Sequence, residues 1–227
     1  MNTHQYRLVS SLLLACGATA AMAGSVQVTV KSADGKPVAD TVVLLQPTAS
    51  WTPQPLPAPA VIAQKDIKFM PYVSVVPVGG TVRFVNKDAY DHHVRSLPGG
   101  PLGTVAPAKQ FEIRMPAAAG GKEASNDLKM DVPGVIALGC HLHGSMRGHV
   151  FVSLTPWYAV TDANGRATVE GVPEGQAELR LWHPDQLTDQ APVQVQVAAA
   201  PLSAEAKLNF TPRRRNNTPA ARDSNNY

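Results

Sequence analysis

Pro133-Gly134-Val135-Ile136-Ala137-Leu138-Gly139-Cys140-His141-Leu142-His143-Gly144-Ser145-Met146 is the stretch on which the fold turns. Pro-Gly opens it, and Ile136, Leu138 and Cys140 then recur at period two. That alternation reads as a β-strand with the thiol on its inward face and His141 pointing away. From Cys140 onward, a thiolate, an imidazole and a thioether follow at intervals of three residues. A turn with that spacing can aim all three at one point. Soft sulfur favours Cu(I), imidazole also suits Cu(II), and a thioether can serve on a long axial bond. A second histidine supplied from elsewhere would complete a His2Cys plus Met set, and His92 is available for it.

Strand patterns extend on both sides. Thr81-Val82-Arg83-Phe84-Val85-Asn86 alternates cleanly after Gly79-Gly80, and a polar loop, 87–91, leads into His92-His93-Val94. Phe111, Ile113 and Met115 alternate, the small and polar segment 116–127 reads as a flexible surface loop, and Gly148-His149-Val150-Phe151-Val152 reads as a closing strand. Nearer the N-terminus, 26–30 and 41–45 are strand patterns that the turn residues 33–37 join as a hairpin. Five prolines between Pro47 and Ala60 mark an extended linker. No window carries a sustained helical period, so the fold class is all-β.

The 227 residues are enough for one or two cored domains. Arg7, the apolar stretch from Leu8 and the small residues Ala21-Met22-Ala23 read as a signal peptide over 1–23, placing the protein in the periplasm or otherwise outside the cytoplasm. The apolar stretch is short for a membrane span. Leu13-Leu14-Ala15-Cys16 offers a competing lipoprotein site that would acylate Cys16; ordinary cleavage is preferred because small residues continue to Ala23. Cleavage leaves Cys140 as the one thiol of an exported chain, where the compartment is oxidising. The formal net charge of +3 belongs to the ends: Arg7 in the signal, and four arginines against Asp223 in a tail, 211–227, that cannot bury a core and reads as disordered. The near-neutral remainder carries no nucleic-acid surface. The tail or a lipidated Cys16 could support weak contact with a membrane surface.

Ile67-x-Phe69-x-Pro71, Gly80-x-Val82-x-Phe84-x-Asn86, His92, Pro133-Gly134 and Cys140-x-x-His143-x-x-Met146 together resemble the cupredoxins over residues 62–153. The two-residue gaps around His143 are similar to short-loop members of the amicyanin type. Asn86-Lys87-Asp88, His92-His93-Val94, Leu138-Gly139-Cys140 and Leu181-Trp182-His183-Pro184 also resemble exported bacterial plastocyanin-like "methylamine utilization" proteins, a label that names no pathway. Asp34-Gly35-Lys36-Pro37-Val38, Thr161-Asp162-x-x-Gly165 and Gly171-Val172-Pro173-x-Gly175 resemble the carboxypeptidase-regulatory, transthyretin-like sandwich. The implied layout is a signal (1–23), a first sandwich part (24–47), a Pro-rich linker (48–61), a cupredoxin Greek-key sandwich (62–153), a second sandwich part (156–210) and the tail (211–227). The cupredoxin unit would be inserted in, or flanked by, the smaller sandwich.

The resemblance implies one copper ion per chain on His92, Cys140, His143 and Met146. His93 takes the opposite side of an extended chain from His92, His141 faces solvent, and His149 and His183 have structural readings. Asp91 stands where many cupredoxins have proline, which predicts a less rigid loop. Asn86 reads either as a donor steadying that loop or as a turn residue. Zinc competes for a Cys-His-His set, but the thioether argues for copper. No nucleophile triad, phosphate loop or carboxylate pair points to an enzyme. The expected activity is one-electron transfer with a redox or copper-handling partner. The alternatives are copper binding or delivery without redox cycling, and an interaction module with a degenerate site.

Overall fold

The computed structural model describes residues 23–213; the signal region through residue 22, Cys16 and the tail beyond 213 lie outside the described residues. Every regular element described is a strand. In chain order they are β1 (Ala23–Lys31), β2 (Val42–Pro47), β3 (Ala60–Lys65), β4 (Lys68–Met70), β5 (Val73–Pro77), β6 (Thr81–Asn86), β7 (His92–Leu97), β8 (Glu112–Met115), β9 (Ala124–Lys129), β10 (Gly134–Cys140), β11 (Arg147–Ser153), β12 (Tyr158–Val160), β13 (Arg166–Pro173), β14 (Gly175–Trp182), β15 (Val193–Val197) and β16 (Leu202–Lys207).

The central part is a sandwich of two sheets, β5-β11-β10-β7-β8 and β4-β3-β6-β9. Its core follows from the alternation: Ile136, Leu138 and Cys140 of β10 meet Val150 and Val152 of β11, with Ile62, Val82, Phe84 and Met130 from the opposite layer. The segment 116–127 is not a loop throughout. Ala124 begins β9, which pairs with β6 in the register Phe84↔Asn126. Its polar composition reflects an edge strand with an exposed outer face, held by the ladder instead of by burial.

The flanking segments share both sheets of a second sandwich. β1 pairs antiparallel with β13 (Val28↔Ala167) and parallel with β16 (Val28↔Ala204). β2 pairs with β12 (Val43↔Ala159) and with β14 (Leu45↔Leu179). The expected β1–β2 hairpin therefore does not form: the two strands lie in opposite sheets. The turn 33–37 is present, with Gly35 N–H donating to Ser32 O, but it returns the chain only as far as Val38, whose N–H reaches Val30 O. Thr161 Oγ1 then donates to Val38 O at 2.7 Å and accepts from Thr41 N–H at 2.9 Å, carrying the chain across to the other layer. Val26, Val28, Val43, Leu45, Val169 and Leu179 fill the interior between them.

Residues 42–45 are buried without alternation, because β2 is covered on both faces. Val43 and Leu45 face the flanking core, whereas Val42 and Leu44 pack against Val73 and Val75 of β5, with Tyr72, Phe151 and Trp182 alongside. Each such side chain contributes about 1.5–3 kcal/mol by leaving water, so the contact joins the two sandwiches through an apolar seam. The Pro-rich stretch crosses outside it, and Trp51 rests edge-on against Trp157 with centroids 5.0 Å apart. At the far end, Arg213 pairs with Asp185 at 2.9 Å.

Candidate metal centre

Cys140 ends β10 and is 3% exposed, in the core where its period-two position directs it. Beside it, the Leu97 side chain lies over Gly139, where a Cβ would stand 2.5 Å from Leu97 Cδ1 and displace it. Past Cys140 the chain turns, with Met146 N–H donating to His143 O at 3.0 Å. The Arg147 guanidinium donates to Gly144 O at 2.7 Å and to Met146 O at 2.8 Å, holding that turn. His143 is thereby set with Nδ1 3.5 Å from Cys140 Sγ. His92, the first residue of β7 and fully buried, brings its own Nδ1 to 3.7 Å from the same sulfur.

The ligand-type atoms of His92, Cys140 and His143 all lie within 4.8 Å of one another. Donors about 2.0 Å (nitrogen) and 2.3 Å (sulfur) from one tetrahedral ion stand roughly 3.5 Å apart, so the spacing fits a single metal. Met146 is 1% exposed in the same core cluster as Cys140. The donor chemistry, two imidazoles and a thiolate with a thioether nearby, suits copper. The Tyr90 ring stands 5.4 Å from each of the His92 and His143 rings, part of the wall around them.

Sequence reasoning assigned no role to Asp88, and the structure gives it one. Its Oδ2 lies 2.8 Å from His92 Nε2, four residues on. A carboxylate there accepts the Nε2–H and orients the ring so that Nδ1 is the nitrogen turned to the sulfur. Asp88 is itself fixed, accepting from Asp66 N–H at 2.7 Å and Ile67 N–H at 3.3 Å. The available signal was the i, i+4 spacing of Asp88 and His92. It was unreadable without knowing that Lys87–Asp91 curls back.

Asn86 belongs to the same scaffold. Fully buried, it donates through Nδ2 to Tyr90 O (2.9 Å), Met115 O (3.1 Å) and Pro116 O (2.8 Å), and its Oδ1 accepts from Asp88 N–H at 2.9 Å. Of the two readings left open for it, the steadying donor is the one this geometry describes. Asp91, where a proline would have stiffened the loop, instead accepts from Ala117 N–H at 2.9 Å and pairs with Arg114 at 2.8 Å. The loop is braced by a side chain where the backbone restriction of a proline is missing.

The charges reinforce one another. Burial alone would push the Cys140 thiol up; hydrogen bonds from His92, the His93 backbone N–H (3.4 Å) and His143 reverse that and lower it to about 6. Burial likewise disfavours a charged His92, but the Cys140 and Asp88 contacts outweigh it and hold the ring above its ordinary value. A thiolate ready for a metal is therefore stabilised before any ion arrives. Among the described residues, the rings of the other histidines stay apart from this set. His93 contacts Glu112 at 3.1 Å, His141 is exposed, His149 lies 3.2 Å from Tyr72 Oη, and buried His183 accepts from Asp185 N–H at 3.1 Å.

The central part is an all-β sandwich of two sheets. No protein-family model matches the chain, and comparison with curated proteins gives no match. Among solved structures, it is similar to a Cu-containing nitrite reductase from Thermus scotoductus SA-01, at 24% identity and TM-score 0.34. That match covers 48% of this chain and 25% of the reductase, so the chain spans about a quarter of that protein's length. It is also similar to a mutant of amicyanin in the Cu(I) form (26% identity, 42% of this chain and 82% of that one, TM-score 0.32). A purple cupredoxin from Nitrosopumilus maritimus matches at 22% identity over 41% of this chain and 99% of that one, TM-score 0.34. The case for a metal rests on the three converging side chains.

Proposed function

We propose that this is an exported mononuclear copper protein that carries single electrons. The observation that carries the reading is the convergence of His92 Nδ1, Cys140 Sγ and His143 Nδ1 inside 4.8 Å, with the outer nitrogen of His92 held by Asp88. His92, Cys140 and His143 would hold the ion, with Met146 as the weak fourth ligand. Copper there supplies a one-electron couple between Cu(II) and Cu(I). The protein's part is to keep the donors still. Asn86 and Asp88 fix the His92 side, and the His93 N–H donates to the sulfur, so a change of charge at the site meets little rearrangement. His143, only half-buried and beside exposed Leu142, gives the site its edge toward a partner, a redox or copper-handling protein.

Within this reading the chain acts by binding and exchanging electrons and is not an enzyme. The flanking segments form a discontinuous transthyretin-like domain that presents the copper unit. The resemblance to exported plastocyanin-like proteins supports placement in the periplasm, by an ordinary signal peptide or a lipid anchor at Cys16. The deciding experiment is a visible spectrum of the full chain with Cu(II). One equivalent should produce an intense thiolate-to-copper band, absent in Cys140→Ser, with a reversible one-electron wave. No stoichiometric binding overturns the metal assignment. Binding with loss of the metal on reduction overturns electron transfer in favour of copper delivery.

A further inference from the structure

Three rings meet at the site. Tyr90 stands 5.4 Å, centroid to centroid, from His92 at an interplanar angle of 67°, and 5.4 Å from His143 at 55°. The two imidazoles are 4.8 Å apart, so the triangle is nearly equilateral. Each contact lies in the range of favourable aromatic pairs. Two corners are anchored to the sandwich. His92 has its Nε2 on Asp88 at 2.8 Å. The Tyr90 carbonyl accepts from Nδ2 of fully buried Asn86 at 2.9 Å, and the next residue, Asp91, is tied to Ala117 N–H and to Arg114. The third corner is held differently. Among the described residues no carboxylate stands behind His143 as Asp88 does behind His92. The bonds that fix its turn, Met146 N–H to His143 O and Arg147 to Gly144 O and Met146 O, all end on backbone carbonyls. They leave the imidazole free to rotate about its own side-chain bonds.

We propose that Tyr90 is the positioning residue for His143: its ring, carried by the Asn86-anchored loop, blocks the outward swing of that imidazole. Core packing does not account for the placement of Tyr90. It is 39% exposed and belongs to none of the three apolar clusters, so its ring contacts at the site are what hold a large side chain there. Through Tyr90 the rigid side of the site lends its order to the turn side. The proposal rests on the copper reading and deepens it, because a restrained His143 favours keeping the metal through a change of charge over releasing it.

The test compares the full chain with Tyr90→Ala, which removes the ring, and Tyr90→Phe, which keeps it. In the metal-free proteins, carbon-13 relaxation of labelled histidine rings should show His143 more mobile in Tyr90→Ala, His92 unchanged, and Tyr90→Phe like the parent. In the copper-loaded, reduced proteins, release of Cu(I) to bathocuproine disulfonate should quicken by about tenfold in Tyr90→Ala and keep the parent rate in Tyr90→Phe. His143 equally ordered in Tyr90→Ala and the parent overturns the proposal, and so does unchanged release. An equal gain in mobility at His92 and His143, or a Tyr90→Phe chain that behaves like Tyr90→Ala, also overturns it. If the parent takes up no copper, the copper reading fails, and the relaxation of the metal-free chains still decides the role of Tyr90.

Discussion

The two histidines that converge on Cys140 are held in opposite ways. His92 begins a strand, is wholly buried, and has its far nitrogen on a carboxylate that is itself tied to two backbone amides. His143 sits in a turn between exposed Leu142 and exposed Gly144, positioned by a single backbone hydrogen bond and by Arg147. One side of the site is built into the sandwich before any metal binds. The other is a loop that closes over it. The difference teaches where rigidity and access come from: sheet ends and buried amides supply the first, and a short turn at the surface supplies the second.

Removing the atom that both sides share has the largest expected effect. Cys140→Ser should abolish the thiolate-to-copper band altogether, measured by visible spectroscopy. Next, Asp88→Asn should weaken copper binding by about 10–100-fold, since it disturbs the tautomer and orientation of His92; a competition titration measures it. If Asp88→Asn binds like the parent chain, the buried side is not the rigid one.

Asn86→Ala tests the same side through stability. It strands carbonyls of Tyr90, Met115 and Pro116 that its amide now serves, and a loss of about 1–3 kcal/mol is expected in urea unfolding of the metal-free chain. The sharpest contrast comes from replacing each imidazole and adding free imidazole. His143→Gly should recover its absorption band, because solvent reaches that position, whereas His92→Gly should not. Equal rescue at both positions would erase the distinction.

The smallest effect concerns protons. In the metal-free chain the Cys140 thiolate should titrate with a midpoint near pH 6, followed by ultraviolet absorbance, well below an ordinary thiol. A thiol whose folded value is depressed contributes stability that is present above its unfolded value, near 9, and is lost as pH falls toward 6. His92, whose value is raised, works in the opposite sense: its contribution is present below its unfolded value of about 6.5 and fades as pH rises through the folded one. Between about pH 6.5 and the raised value of His92 the two contributions oppose each other; above it the thiolate's alone remains and stability rises toward pH 9, and a flat profile there would show that the thiolate is not held by its neighbours.

Much of this was legible in the chain. The inward thiol followed from period-two burial of Ile136, Leu138 and Cys140, and the all-β class from strand patterns throughout. His93 and His141 were separated from the metal set by the same alternation. Asp88 and the role of Asn86 were not legible. Both act through hydrogen bonds to backbone atoms of a loop whose course no periodicity encodes. The β1–β2 hairpin and the loop over 116–127 misled for a related reason. Turn residues state that a chain reverses, not which sheet it rejoins, and an edge strand needs no apolar face.

Sequence by itself determined what was local: which residues alternate, which face Cys140 takes, and that a thiolate, an imidazole and a thioether follow one another at three-residue steps. Tertiary structure alone decided the distant pairings. It brought His92 to Cys140 across 48 positions, set Asp88 behind His92, and paired β1 with β13 and β16. The physical reason is that period and composition report the surroundings of each strand one at a time. A site made from several strand ends exists only once the sheets have packed.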